Sequence, residues 1–195
     1  MEEVQTTSVF LMDAAPPPLS NVMIDLETWG KWSGCAIRSI GAVEFDPYSD
    51  KIGQTFYANI LDETCVRAGL VKDASTVEWW SKQAAQAQKV FDQSPVSLDT
   101  AIVDFKRWWR AVRGVFPWSQ GANFDQPILE AAMRAVGEEA PWKFWDSRCT
   151  RTAYDMGGLN PRTIRREGTH HNALDDAVHQ ARCVQAAYRN RGRKW

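Results

Sequence analysis

Asp25 and Glu27 stand two positions apart in the apolar run NVMIDLETWG, residues 21–30. Side chains at i and i+2 of a strand point to the same face, so a strand here sets two carboxylates side by side. Like charges at that spacing repel and raise each other's pKa unless something neutralises them. Two further acids sit where a short carboxylate is costly: Asp125 in GANFDQPIL, where a helix should open, and Asp176 in HHNALDDAV, inside the last expected helix. Taken singly, Asp125 could stabilise a helix N-terminus and Asp176 could be a surface acid. Taken together they are a set of oxygen donors. Carboxylates without a Cys/His cluster suit hard cations such as Mg²⁺ or Mn²⁺ better than zinc. Two such ions about 3.5–4 Å apart can clamp the attacking and leaving oxygens of a phosphodiester.

A reaction of that kind also needs a proton acceptor, and a histidine with an ordinary pKa of about 6.5 serves at neutral pH. His170 lies five residues before Asp175, and His171 five before Asp176, so spacing alone offers two registers. A one-residue shift turns a helical side chain by about 100 degrees. The stripe Ala173, Ala177, Ala181 marks the buried face of the helix; Asp176 borders it and Asp175 lies further round towards solvent. That selects His171 with Asp176.

The elements that must hold these residues are legible in outline. Val22 to Leu26, apolar except for Asp25, is followed by the β-rich runs CAIRSIGAVEF and IGQTFYANI, the last two joined by the turn-forming DPYSD, which predicts an antiparallel set. DASTVEWWSKQAAQAQKVF follows as a helical stretch, with Ser75 and Glu78 in the spacing of a capping box. Between Ser97 and Val112 the apolar residues recur every three or four positions, which predicts a helix with one buried face. GVFPWSQG fits a short strand in which Pro117 calls for an edge or a bulge. Helices are expected from about Asn123 to Val136, closed by Gly137, and from about Asn172 to Tyr188. Strands followed by alternating helices and a strand define a mixed α/β sheet flanked by helices.

With these elements in view, DLET, GANFD and HNALDDA, in that order, resemble the three motifs of the DEDDh group of 3′–5′ exonucleases. MIDLET, SIGAVEFD, TVEWWSKQ and GANFDQPILEAA are similar to a phage and bacterial branch described as exodeoxyribonuclease VIII-like or 3′–5′ exoribonuclease proteins. The resemblance runs over roughly residues 21–188. It implies an RNase H-like fold, three antiparallel strands followed by parallel ones. It implies two Mg²⁺ or Mn²⁺ ions, with Asp25, Glu27 and Asp176 on the first, Asp25 also on the second, and Asp125 acting partly through water. His171 takes the position of the general base. Thr28, Asn123 and Phe124 fall in motifs that border the terminal nucleotide, and the products implied are nucleoside 5′-monophosphates released from a 3′ end.

Two features are less determined. Trp29 or Trp32 could stack on a base or pack in the fold. The loop NPRTIRREG could grip phosphates through Arg162, Arg165 and Arg166, or be an inert solvated loop. The expected partner is a single-stranded nucleic acid or a 3′ overhang, with RNA and DNA undistinguished and homodimer formation left open. Two other readings compete: a nucleic-acid-binding module on the same fold without catalysis, and a metal phosphoesterase acting on small molecules. The presence of all four acids and the histidine argues against the first.

Bulk properties agree with one exonuclease domain, residues 21–190, of a 195-residue chain. Net charge is −1, but residues 143–195 carry +6 and the remainder −7, which could turn the C-terminal part towards phosphates. Cysteines 35, 65, 149 and 183 form no C-x-x-C pair, which suggests reduced thiols and a cytoplasmic setting, the host's if the chain is phage-encoded. Residues 1–20 begin with acids and hold too short an apolar run for a signal or membrane segment, so a disordered leader is expected, with a basic tail at 191–195.

Overall fold

The structure is a computed structural model that describes residues 19–83 and 88–191. The leader to residue 18, the Ala/Gln-rich part of the helical stretch at 84–87, and tail residues 192–195 lie outside the described residues. Ser20, placed in the leader from sequence, is already part of the fold: it is buried, and its carbonyl accepts hydrogen bonds from the amides of Val115 and Phe116.

Strands β1 (Asn21–Thr28), β2 (Ile37–Phe45) and β3 (Ile52–Asn59) form the antiparallel set. Helices α1 (Asp62–Arg67), α2 (Ala74–Ser81) and α3 (Leu98–Ala111) follow, and then β4 (Phe116–Ser119) joins β1 in parallel. Helix α4 (Asp125–Ala135) leads to a two-residue β5 (Arg148–Cys149), parallel to β4, to α5 (Thr150–Met156), and to the long α6 (Ala173–Arg191). The sheet order is β3-β2-β1-β4-β5, an RNase H-like mixed sheet with helices on both faces.

Alternation along β1 assigns its side chains to the two layers. Val22, Ile24 and Leu26 enter the larger core with α3 and α4, while Met23 enters the smaller core beneath the alanine stripe of α6. Asp25 and Glu27 continue the Met23 row, so both acids point under the start of α6. Ser97 caps α3 by accepting from the amide of Thr100, and Gly137, at φ +76°, closes α4 in a Schellman pattern with Gly137 and Glu138 amides donating to Arg134 and Met133 carbonyls.

One local expectation is revised, one is met, and three short elements are new. The cap of α2 is Asp73, whose carboxylate accepts from the Thr76 amide at 2.9 Å; Ser75 is already within the helix and donates its hydroxyl to Asp73. Pro117 is tolerated inside the sheet because β5 pairs only with Trp118 and Ser119, leaving β4 a single partner at the proline. The short β5, α1 and α5 carry too few periodic residues to be seen in the sequence.

Gly41 fixes the distance between sheet and α6. It pairs with Asp25 across β1 and β2, and a Cβ there would lie 2.1–2.3 Å from backbone atoms of Ala173 and Leu174. Only glycine lets the first turn of α6 sit this close to the acid-bearing strand. Gly41→Ala is therefore expected to cost about 3 kcal/mol or more. Gly137→Ala, strained in φ but with open space around it, should cost only about 1 kcal/mol. Comparable losses for the two in denaturant unfolding would contradict this contact.

Candidate active site

The acid-bearing end of β1 is irregular. The pairing with β2 slips between Glu27 and Thr28, so Glu27 faces Ser39, Thr28 faces Ile37, and Arg38 is the extra residue of a bulge. The bulge sends the Arg38 guanidinium into a box of aromatic rings, 4.1 Å from the centroid of Trp29, 4.3 Å from Trp80 and 3.7 Å from Phe91. Burial draws its pKa down to about 10, yet it remains a cation whose charge opposes the rise of the Glu27 pKa.

Glu27, His171 and Asp176 converge: each offers a ligand atom, and these lie within 4.8 Å of one another. Asp25 and Asp125 are outside this closest group but coupled to it. Asp25 accepts from the Gln180 side-chain amide at 2.7 Å, one helical turn beyond Asp176. Asp125 reaches β1 from the start of α4 and accepts from the Leu26 amide at 3.1 Å. Burial first, and then the charges of Asp125, Glu27 and Asp176, hold the Asp25 pKa well above its ordinary value. Glu27 is pushed up to about 8 by burial and by Asp176, and Asp125 to about 7 by burial. Arg166 makes an ion pair with Asp176. Among the described residues Gln180 Oε1, Ser39 Oγ and Arg38 Nη1 are buried without hydrogen-bond partners. Four converging carboxylates with so little compensating positive charge fit a divalent cation through oxygen donors.

His171 is reached by an unusual backbone. Its φ is +61°, a left-handed conformation rare for a residue with a side chain, and its ring packs edge-on against Trp79 with centroids 5.1 Å apart. The preceding turn depends on Gly168, at φ +83°, where a Cβ would strike the Asp175 carboxylate at 2.4 Å. Asp175 also accepts from the Thr169 amide at 2.7 Å. Asp175 thus anchors the loop, and His170 is exposed.

Beside Glu27 lies a cavity of about 240 Å³ lined by Thr28, Gly30, Trp79, Trp80 and Phe124 among others. Trp29 does not contribute a free face to it, which corrects the stacking expectation: it is 8% exposed, its indole N–H donates to Asp62 at 2.6 Å, and the cations of Arg38 and Lys72 lie on its ring. Trp79, which helical periodicity alone could not set apart from a core residue, is 43% exposed and supplies the aromatic wall. Thr28 is buried, its hydroxyl donating to the Gly30 carbonyl and its own carbonyl accepting from Trp80 Nε1. Asn123, Arg162 and Arg165 are exposed, and Trp32 is 47% exposed without lining the cavity.

A five-stranded mixed sheet with this acid cluster defines the class of RNase H-like nucleases, and comparison with known proteins agrees. Solved structures of the same fold include the nuclease domain of 3′hExo, a DEDDh family member, bound to rAMP (TM-score 0.57, 12% identity, 85% of this chain and 89% of that one). They also include exonuclease X in complex with 5′-overhanging duplex DNA (TM-score 0.52, 16% identity, 89% and 94%). A third is S. pombe Pop2p in its Mg²⁺- and Mn²⁺-bound form (TM-score 0.52, 13% identity, 86% and 82%). An exodeoxyribonuclease of Enterobacteria phage T4 is 28% identical over 162 residues, spanning 67% of this chain and 68% of that protein. Residues 20–188 match the 3′-5′ exoribonuclease Rv2179c-like domain, and the chain belongs to that family of 3′–5′ exonucleases.

The raised acids make stability depend on pH in a stated direction. Folded Glu27 holds its proton up to about pH 8, and Asp125 up to about 7, whereas their ordinary values are 4.5 and 3.8. The unfolded chain releases these protons first, so the stabilisation is complete below the ordinary values and is lost as pH rises towards 7–8. In a chelator, Tm should fall between pH 5 and 8, and Asp25→Asn should raise Tm at pH 8 by several degrees. A Tm independent of pH in both proteins would contradict the clustering.

Proposed function

We propose that the chain hydrolyses single-stranded RNA or DNA, or 3′ overhangs, one nucleotide at a time from the 3′ end, releasing nucleoside 5′-monophosphates with two divalent cations. The observation that carries this reading is the convergence of Glu27, His171 and Asp176 beside an aromatic-walled cavity of nucleotide dimensions. Asp25, Glu27 and Asp176 would hold one Mg²⁺ or Mn²⁺, Asp25 would share the second, and Asp125 would act partly through water. Such a pair neutralises the carboxylates and supplies Lewis-acid stabilisation where charge develops on the attacking and leaving oxygens.

The chain's own groups do the rest. Trp79, Phe124 and Thr28 line the space for the terminal base, and Asn123, the exposed neighbour of Phe124 in the chain, is available to the nucleotide. An imidazole nitrogen of His171 takes a proton from the attacking water; water's oxygen bonds to phosphorus as the bond to the 3′ oxygen breaks, and that oxygen leaves as a hydroxyl once protonated. Edge packing against Trp79 holds the ring of His171 in orientation. Arg165, exposed on the same loop, and Arg166, at Asp176, provide positive charge for phosphates. The four unpaired cysteines support a reducing, cytoplasmic setting. Among the described residues no helix is long and apolar enough to cross a membrane.

The test is a panel of end-labelled RNA and DNA strands. EDTA should abolish cleavage and Mn²⁺ restore it. His171→Ala should lower kcat by at least about 100-fold, the lower scale for a general base, with fold retained, while His170→Ala should cost much less. Trp79→Ala should raise KM roughly tenfold through lost stacking and also lower kcat, because the same ring orients His171. Undiminished cleavage in EDTA, or a crippling His170→Ala with a silent His171→Ala, would overturn these roles.

A further inference from the structure

The open edge of the sheet carries a second feature that the reaction does not use. β5 is the last strand in the order, and the 3₁₀ turn before it, Phe144–Asp146, lifts two rings into solvent: Phe144 is 82% exposed and Trp145 60%, packed edge to face at 4.8 Å. The turn is held rigidly, because Arg148 donates to the carbonyls of Trp145 and Ser147 and stacks on Phe116 at 4.5 Å. Lys143 Nζ lies 5.3 Å from the Trp145 ring centroid. Asp146 is the sole acid between Lys143 and Tyr154.

The patch leads to the active site. β5 runs parallel to β4 and β1, with Arg148 level with Trp118 and Trp118 level with Met23, so Glu27 lies about 13 Å further along the same direction. Arg151 follows the end of β5, in the first turn of α5. Its Nη1 would sit 3.4 Å from a Cβ on Gly121, over the loop that ends in Asp125. Among the described residues its guanidinium has no ion-pair or hydrogen-bond partner.

We propose that this edge is a strand-binding track: Arg151, Arg148 and Lys143 contact successive phosphates of a single-stranded nucleic acid several nucleotides upstream of its 3′ end, and Phe144 and Trp145 stack on its bases. Exposed aromatic rings interleaved with cations are the requirement for sequence-tolerant single-strand binding. A second copy of the chain is disfavoured, since a two-fold contact sets each patch against itself and would oppose like charges. The track deepens the exonuclease reading and rests on it.

The experiment compares single strands of two and about twelve nucleotides. For wild type, kcat/KM should rise with length; in a Phe144→Ser, Trp145→Ser double variant that rise should shrink by about tenfold. Arg151→Gln should lower the salt slope of binding to the longer strand, measured by anisotropy in EDTA, by about one. Variants that keep the length dependence and the slope overturn the track alone. A wild type that neither binds nor cleaves polynucleotide overturns the exonuclease reading with it. A wild-type dimer that the double variant converts to monomer in sedimentation would also overturn the track, making the edge a subunit contact.

Discussion

Mutual repulsion among Asp25, Glu27, Asp125 and Asp176 is the constraint around which the rest of this structure is arranged. Isolated carboxylates avoid one another, and bringing them together out of water costs several kcal/mol per charge unless protons or cations compensate. The fold overrides that tendency with rigid elements. β1 carries two of the acids in a central position of the sheet, α4 brings the third to its backbone, and α6 lowers the fourth onto it. The closeness of α6 depends on the missing side chain of Gly41 and on the alanine stripe that follows.

Compensation is deliberately partial. Arg38 faces Glu27 from an aromatic box, and Arg166 reaches Asp176 from the loop before α6. Neither neutralises Asp25, whose hydrogen-bond donor among the described residues is the neutral Gln180 amide. Proton uptake relieves the repulsion on the acid side of the raised pKa values; a divalent cation would relieve it while leaving the carboxylates ionised. The loop carrying His171 is tied to the same helix through Asp175 and Gly168, so a residue outside the four-acid cluster governs where the imidazole arrives.

Much of this was legible in the sequence where the signal is local. Period-two alternation gave the facing of Asp25 and Glu27, and the alanine stripe separated His171 and Asp176 from His170 and Asp175. Long-range relations were not legible. Nothing in the residues near Trp29 reveals that Asp62, Arg38 and Lys72 enclose it, while Trp79 takes the exposed position. The cap of α2 fell to Asp73 because a carboxylate just before the helix reaches its free amides, a competition that the spacing of Ser75 and Glu78 does not register. β5 has two residues and no periodicity to read, yet it carries the edge that leads towards Asp125.

Thermal unfolding against Mn²⁺ concentration decides whether the converging acids form a divalent-cation site. Ligand that binds only the folded state raises stability with the logarithm of its concentration above Kd. For such a site, Tm should rise progressively with Mn²⁺ at pH 7.5, rise less at pH 5.5 where protons compete for Glu27 and Asp125, and lose most of its response in Asp176→Asn. A Tm indifferent to Mn²⁺ at pH 7.5, or a response that Asp176→Asn leaves intact, would contradict it.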